Sequence, residues 1–230
     1  MWTFDLDQID TAVLLPVLSK DELDRAARFR FDVHRQRYIA ARAALRYVLG
    51  WLTERSPAEL IFKYGEHGKP RLAGNGLEFN LSHSENRALI GITDGDAIGV
   101  DIEKVNPERS NPEIAKRFFA EREIAALEQF DAGAYSKAFF NCWTRKEAVL
   151  KAVGTGIGGG LSSFAVPVDE MPEGARIEAP GCSIWNLASL FPYLEAEGFS
   201  AAVAVLGNGT LLRPVCGTVL RIPLRRTLKI

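Results

Sequence analysis

Two carboxylates in the stretch GVDIEKV, residues 99–105, are the first candidates for a functional site. Asp101 and Glu103 are two positions apart, so on a β-strand they share one face while Val100 and Ile102 occupy the other. Two carboxylates on one face repel each other unless that face is open to water or holds a cation. The spacing therefore favours either a solvated strand face or a site for a hard cation such as Mg²⁺, which prefers oxygen ligands.

A third carboxylate lies in FFNCWTRKEAVLKAVGTGI, residues 139–157. On a helix, Trp143, Glu147 and Lys151 form one stripe at i, i+4 and i+8. Taken alone, Glu147 and Lys151 are typical of an exposed ion pair worth about 0.3–0.5 kcal/mol. Combined with the two strand carboxylates, they have the composition of a phosphoryl-transfer site, where a metal ion and basic side chains neutralise phosphate.

The segment FNLSHS, residues 79–84, places a serine beside a histidine. Adjacent strand residues point to opposite faces, so Ser82 and His83 do not form a nucleophile–base pair. His83 taken alone is equally typical of a structural histidine and of a residue that contacts a ligand. Lys69 in the HGKP turn is either a solvated lysine or a phosphate contact. The chain contains no Walker loop, kinase glycine loop, Rossmann fingerprint or G-x-S-x-G elbow.

The overall composition is that of a globular protein without a strongly charged partner. The chain has 230 residues, 47% of them hydrophobic, and a formal net charge of -1. A charge so near zero gives no sign of a nucleic-acid or membrane partner. Three cysteines without C-x-x-C spacing, and an acidic start unlike a signal peptide, lead us to expect a cytoplasmic protein with free thiols.

Helical and strand-like patterns both occur along the chain, which predicts an α+β fold. Ser19 and Glu22 match a capping box, and a second helix is expected from about Asp32. Arginines are frequent along these two helices and form either a solvated face or a polyanion site. Further helices are predicted within 113–130 and 134–154, strands at 77–84, 87–93, 97–103, 199–206 and 217–224, and a linker at 104–112.

Four motifs in this order, GKP, FNLSHS, IGVDIE and FFNCWTRKEAVLKAVGTGI, resemble the 4'-phosphopantetheinyl transferases, most closely the two-lobed surfactin-type subgroup. The resemblance implies two similar α+β lobes with the active site in the cleft between them. The first lobe, 1–104, would supply coenzyme A contacts and the D-x-E metal strand. The second, 105–230, would supply the W-x-x-K-E-x-x-x-K helix and dock a carrier protein, and the protein would be a monomer.

Carried over position by position, the resemblance also implies roles for individual residues. The metal ligands would be Asp101, Glu103 and Glu147. Coenzyme A would be bound by Arg37, Arg42, Lys69, Asn80, Ser82, His83, Lys146 and Lys151, with Arg42 serving the 3'-phosphate. Glu147 and Lys151 would be the catalytic pair. Arg25 is a looser match that we leave out, and the role of Glu123 stays open.

The activity that this resemblance implies is transfer of 4'-phosphopantetheine from coenzyme A to a serine of an apo acyl or peptidyl carrier protein. The reaction would depend on Mg²⁺, with Mn²⁺ as a substitute, would release adenosine 3',5'-bisphosphate and would serve fatty acid, polyketide or nonribosomal peptide synthesis. Two alternatives are a non-catalytic scaffold that binds coenzyme A and carrier proteins, and another metal-dependent enzyme that cleaves a pyrophosphate. The scaffold alternative does not explain why all three carboxylates are present.

Overall fold

The structure is a computed structural model that describes residues 1–74, 76–155, 160–171, 175–179, 183–189 and 192–207. Its helices are α1 (Lys20–Ala26), α2 (Asp32–Thr53), α3 (Pro112–Phe118), α4 (Glu121–Leu127), α5 (Ala132–Val153) and α6 (Pro192–Ala196). Its strands are β1 (Trp2–Asp5), β2 (Phe62–Tyr64), β3 (Pro70–Leu72), β4 (Leu77–Ser84), β5 (Arg87–Asp94), β6 (Ile98–Lys104), β7 (Ala175–Ala179), β8 (Ser183–Ser189) and β9 (Phe199–Leu206). The predicted strand at 217–224 and the end of the last motif, at 156–157, lie outside the described residues.

The first sheet-containing region is built on the antiparallel hairpin of β4 and β5, with β1 on the far side of β5. Helix α2 packs on this sheet because its apolar residues recur at helical spacing. Leu45 and Leu49 are fully buried in one core with Phe79 and Ile90 of the hairpin. Truncating a buried leucine such as Leu45 to alanine typically costs about 2–5 kcal/mol, so this helix is a main support of the region.

The second sheet-containing region has strand order β6-β9-β8-β7, with every neighbouring pair antiparallel. Helix α5 lies across β6 and β9 and buries Phe139, Val149 and Leu150. Its first turn is capped by Asp131, which accepts hydrogen bonds from two backbone N–H groups. It ends at Gly154, whose φ of 84° lies in the left-handed region, as is common for a glycine that follows the last helical turn.

Close contact between α5 and β6 depends on a residue without a side chain. A Cβ atom added to Gly99 would lie 1.9 Å from the carbonyl oxygen of Ala148 and 2.4 Å from the backbone nitrogen of Ala152. Only glycine allows the strand to approach the helix backbone this closely. Gly99 therefore determines how near the carboxylates that follow it on β6 come to α5.

The two sheets meet where β4 runs beside β6, and side chains rather than backbone groups of β4 join the strands. Asn80 Oδ1 accepts the N–H of Val100 at 2.9 Å, and Ser84 Oγ accepts the N–H of Lys104 at 3.1 Å. The two strands are parallel because the bonded positions advance together, yet they belong to separate backbone-bonded sheets. We call this contact the seam.

Most sequence-predicted elements are confirmed, including the α+β class. At α1, Glu22 reaches back to accept the Ser19 N–H at 2.9 Å, as a capping box requires. The predicted helical segment at 113–130 forms two helices, α3 and α4, because Glu123 accepts the Ala120 N–H and starts a new helix there. Strand β6 pairs with β9 of the second sheet, while the lobe boundary at 104 and the similarity of the lobes stay predictions. Within the described ranges, no helix is long and apolar enough to cross a membrane.

Candidate active site

Three elements bring a lysine, a serine and an aspartate together at the seam. Lys151 of α5 donates to Asp101 Oδ1 of β6 at 2.5 Å and to Ser82 Oγ of β4 at 3.0 Å. Ser82 Oγ donates its own proton to the same Asp101 oxygen at 2.9 Å. Asp101 is 2% exposed, so this carboxylate is held by two donors away from bulk water. All three are residues for which the sequence predicts a site role.

The other two predicted metal ligands face the same aspartate. Glu147 lies one helical turn before Lys151 and is buried. Its pKa is raised to about 7, first because burial disfavours the carboxylate and then because Asp101 is negative, while Lys151 acts in the opposite direction. The pKa of Glu103 is raised by burial and then by the charge of Asp101, against a hydrogen bond from Ser84. One lysine therefore does not neutralise the local excess of negative charge.

Two carboxylate oxygens at this point also lack a hydrogen-bond partner. Asp101 Oδ2 and Glu147 Oε1 are buried and accept no hydrogen bond within the described part of the chain. A buried acceptor left in this state costs about 1–3 kcal/mol. A cation held by these carboxylates would supply positive charge there and offset part of the burial cost and repulsion that raise the two glutamate pKa values.

The donor set suits a hard cation, although it is not gathered into a finished site. Among the described residues, no group of three or more His, Cys, Asp and Glu side chains is already arranged to hold a metal ion. Lys151 instead supplies the positive charge next to Asp101. Mg²⁺ in phosphoryl-transfer enzymes is usually held by one or two carboxylates together with substrate phosphates and water. Asp101, Glu103 and Glu147 fit that incomplete type of site.

Basic residues surround His83 on the opposite face of β4. His83 is exposed, and its pKa is lowered first by partial desolvation and then by the positive charges of Lys151, Arg25, Arg37 and His34. Sequence reasoning left out Arg25 as a loose match and gave His34 no role. Arg37 contacts Glu85 in the β4–β5 turn, so the start of α2, which carries His34, lies beside that turn.

Arg37 joins this basic region, but its guanidinium already has partners. It makes a bidentate contact with Asp7, with Nε–Oδ1 at 2.8 Å and Nη2–Oδ2 at 2.9 Å, and a 3.0 Å contact with Glu85. The side chain is 16% exposed. The predicted contact between Arg37 and coenzyme A stays a prediction.

Arg42 already has a partner within the protein. Its side chain is 9% exposed, and its Nε donates to Glu22 Oε1 at 2.6 Å, while Arg46 Nε donates to Glu22 Oε2 at 2.6 Å. The buried Glu22 thus ties α1 to α2 through two arginines. The assignment of Arg42 to the 3'-phosphate stays a prediction.

Lys146 also has partners within the protein. It is 0% exposed, its Nζ lies 2.8 Å from Glu123 Oε2, and it donates to the carbonyl oxygens of Leu161 and Phe164 at 2.7 and 2.5 Å. Lys146 and Glu123, whose role was open, form one buried ion pair that holds the segment after α5. The predicted contact between Lys146 and coenzyme A stays a prediction.

Two further predicted residues lie at the seam. Lys69 Nζ donates to the carbonyl oxygens of Ile98 and Ala152 at 3.1 and 3.0 Å, which leaves one of its three donors for a ligand. Asn80 is 7% exposed and holds the N–H of Val100. Both residues thus join the two sheet regions, and their contacts to coenzyme A stay predictions.

An apolar cavity of about 240 Å³ adjoins the acidic end of β6. It lies next to the same face of α5 that carries Glu147, one turn closer to the helix start. Sequence reasoning identified Trp143 as part of that stripe but did not predict a cavity. Its lining consists of Glu103, Arg109, Ile114, Phe139, Phe140 and Trp143.

Comparison with known proteins gives a consistent set of relatives. Residues 97–203 match the model of the 4'-phosphopantetheinyl transferase superfamily. The chain is 39% identical to 4'-phosphopantetheinyl transferase HetI of Nostoc sp., over 91% of this chain and 88% of that protein. It is 36% identical to a putative 4'-phosphopantetheinyl transferase, slr0495 of Synechocystis sp., over 79% and 75%. It is 30% identical to 4'-phosphopantetheinyl transferase Sfp of Bacillus subtilis, over 70% and 71%.

Proposed function

This chain belongs to the 4'-phosphopantetheinyl transferase family, and from that premise we propose how the residues at its seam perform the transfer. The protein moves 4'-phosphopantetheine from coenzyme A to a carrier protein. We assign the transfer to the site formed by Asp101, Glu103, Glu147, Lys151 and Ser82. The acceptor is a serine hydroxyl of an apo acyl or peptidyl carrier protein.

The observation that supports this site best is the set of unpartnered oxygens beside a single lysine. Asp101 Oδ2 and Glu147 Oε1 are buried without hydrogen bonds inside the described ranges, and Lys151 is in direct contact with Asp101. Such a site needs further positive charge and can then accept a polyanion. A pyrophosphate together with Mg²⁺ meets both needs, since that cation takes carboxylate and phosphate oxygens together.

In the proposed reaction, the carrier serine oxygen bonds to the phosphorus atom nearer pantetheine. The bond from that phosphorus to the bridging oxygen breaks, and adenosine 3',5'-bisphosphate leaves with the electron pair. Glu147 is our candidate for the group that receives the serine proton, because its carboxylate lies in the cluster with a free oxygen. When bound, Mg²⁺ supplies positive charge to the pyrophosphate oxygens.

Lys151 has two tasks in this scheme. Its ammonium fixes Asp101 and Ser82 through hydrogen bonds, and its charge stabilises the negative charge that develops on the phosphates. Ser82 is not the nucleophile, because its hydroxyl donates to Asp101 and accepts from Lys151. The nucleophile comes from the carrier protein.

The position of the adjoining cavity suggests a direction from which the carrier protein approaches the site. It has Glu103 at one end and Trp143 on its wall, while the basic residues around His83 lie on the other side of β4. We propose that the nucleotide end of coenzyme A takes the basic side and that the carrier serine enters past the cavity. The nucleotide end carries the negatively charged 3'-phosphate, which supports placing that end beside the basic residues.

Mass spectrometry of apo carrier proteins incubated with this protein, coenzyme A and Mg²⁺ tests the transfer. We expect a mass gain of one phosphopantetheine on the carrier and one adenosine 3',5'-bisphosphate released per carrier. Release of the bisphosphate without carrier labelling would instead favour a pyrophosphate-cleaving enzyme. Coenzyme A binding without either product would favour a scaffold.

The variant Asp101→Ala tests the assignment of the site. Removing this carboxylate should abolish labelling while far-ultraviolet circular dichroism stays that of a folded protein, because Val100 and Ile102 still pack into the core. A matched control is Asp24→Ala, an exposed aspartate of α1 that pairs with Lys20 at the surface. Labelling by Asp101→Ala at the rate of the control would rule out Asp101 as a site residue.

A further inference from the structure

Ser82 makes a hydrogen-bond pattern at the seam that combines a structural and a site contact. Its Oγ accepts the N–H of Ile102 at 3.4 Å and donates to Asp101 Oδ1 at 2.9 Å. One hydroxyl of β4 therefore holds both the backbone of β6 and the carboxylate of the preceding residue.

The same pattern recurs two residues further along both strands. Ser84 Oγ accepts the N–H of Lys104 at 3.1 Å, and it donates to Glu103 Oε2 at 2.9 Å. A strand repeats its facing every two residues, so the two serines and the two carboxylates stand in register along the parallel seam. Ser82 and Ser84, two alternate residues of β4, thus each meet one of the two carboxylates of β6.

The direction of the Ser84 hydroxyl proton follows from its partners. A hydroxyl has one proton and two acceptor lone pairs. Because the Lys104 N–H can only donate, it occupies a lone pair, and the single proton is left for Glu103. The bond uses one carboxylate oxygen, Oε2, and leaves the other oxygen of Glu103 free to turn toward Asp101.

We propose that Ser84 is a positioning residue that orients Glu103 as a metal ligand. This inference rests on the proposed function, since Glu103 binds a metal ion only if that assignment holds. Ser84 does not contact substrate in this scheme and acts through Glu103 alone.

Glu103 needs such a partner more than Asp101 does. Asp101 is nearly fully buried and receives hydrogen bonds from both Ser82 and Lys151. Glu103 has a longer side chain and is only partly buried. Among the described residues, Ser84 is the one side chain that gives it a hydrogen bond. Partners that orient metal ligands in this way typically change metal affinity by about 10–100-fold when removed.

The test is the affinity of the full-length variant Ser84→Ala for Mn²⁺, measured by electron paramagnetic resonance with coenzyme A present and no carrier protein. We expect the dissociation constant for Mn²⁺ to rise about 10–100-fold. In the transfer assay, the Mg²⁺ concentration for half-maximal rate should rise similarly, while the rate at saturating Mg²⁺ returns close to that of the unmodified protein. A structural role alone would lower the unfolding midpoint and leave the metal dependence unchanged.

The matched control is Ser200→Ala. Ser200 is a buried serine on β9, directly opposite Glu103 in the strand register, but its hydroxyl donates to Asn141 of α5. It should leave the Mn²⁺ affinity within about twofold of the unmodified protein. Equal affinities for Ser84→Ala and the unmodified protein would overturn the proposal.

Two further variants decide the question if Ser84→Ala does not fold. Ser84→Cys keeps the volume but has a weak donor, so it should bind Mn²⁺ more weakly, and unchanged affinity would overturn the proposal. Ser84→Thr keeps the hydroxyl and should bind better than Ser84→Cys, and the reverse order would also overturn it. If the unmodified protein labels no carrier, the proposed function fails, whereas carrier labelling with unaltered metal affinity in the variants refutes only the role of Ser84.

Discussion

Replacing Glu147 by glutamine should stabilise the metal-free protein at alkaline pH while removing its activity. The pKa of Glu147 is raised to about 7 from an ordinary value of 4.5, because burial and the charge of Asp101 disfavour the carboxylate. A carboxyl with a raised folded-state pKa binds its proton more tightly in the folded than in the unfolded chain. Its contribution to the free energy of unfolding is therefore highest at low pH and falls as the pH rises from about 4.5 to 7.

The size of the effect follows from that shift. One pKa unit corresponds to about 1.4 kcal/mol, so the full shift sets an upper limit of about 3 kcal/mol. Because Asp101 and Glu103 share the repulsion, neutralising one member also relieves the others, and we expect about 2 kcal/mol between pH 5 and pH 8. Glutamine has no charge and avoids this loss. Its amide oxygen replaces an acceptor that already lacks a partner inside the described residues.

Urea denaturation with a chelator at pH 5 and pH 8 measures this difference. The stability of the unmodified protein relative to Glu147→Gln should fall by about 2 kcal/mol across that range. The exposed Glu66→Gln provides a control that should show no such change. Adding Mg²⁺ and coenzyme A at pH 8 should reverse the order, because the unmodified site binds them and the variant does not. A stability difference between the two proteins that is the same at pH 5 and pH 8 would show that the folded state does not raise the pKa of Glu147.

Two other variants test the framework that positions the site. Lys146→Met leaves the buried Glu123 without its partner, so the free energy of unfolding should fall by about 3–5 kcal/mol, and adding Glu123→Gln should recover part of it. Additive losses in a double-mutant cycle would contradict that coupling. Gly99→Ala should destabilise the fold by more than about 3 kcal/mol, since its Cβ would overlap α5, whereas Gly76→Ala, with no atom near its Cβ, should be close to neutral. Similar unfolding midpoints for the two glycine variants would show that the close approach at β6 is not required.

Sequence patterns predicted those parts of the site in which the residues share one helix or one strand. The period of two on β6 places Asp101 and Glu103 on one face, and the period of four on α5 places Glu147 with Lys151. Each pattern needs only one element to form. The two faces meet at one point only because α5 packs against β6. In the sequence, only the order of the motifs predicted that contact.

Two predicted coenzyme A contacts, Arg42 and Lys146, have partners that are distant in sequence. The resemblance assigns Arg42 to the 3'-phosphate, and in the structure Glu22 of α1 reaches it across the helix pair. Lys146 precedes Glu147 on α5, and adjacent helix residues differ in direction by about 100°. That rotation turns Lys146 toward Glu123 in the core while Glu147 faces the cleft. Periodicity indicates which residues share a face, but the identity of the facing partner depends on tertiary structure.

The seam explains why a cluster of like charges is tolerated within a stable fold. If β4 and β6 were joined by an ordinary parallel ladder, backbone carbonyls of β4 would accept the N–H groups of β6. Here Asn80 and Ser84 accept those groups through their side chains, which leaves the Ser84 hydroxyl proton for a carboxylate of β6. Ser82 and Ser84, which accept N–H groups of β6, thus also hold the carboxylates Asp101 and Glu103. The repulsion among the carboxylates opposes folding in the absence of ligands, and by linkage a cation and a pyrophosphate that bound only the folded state would compensate for it.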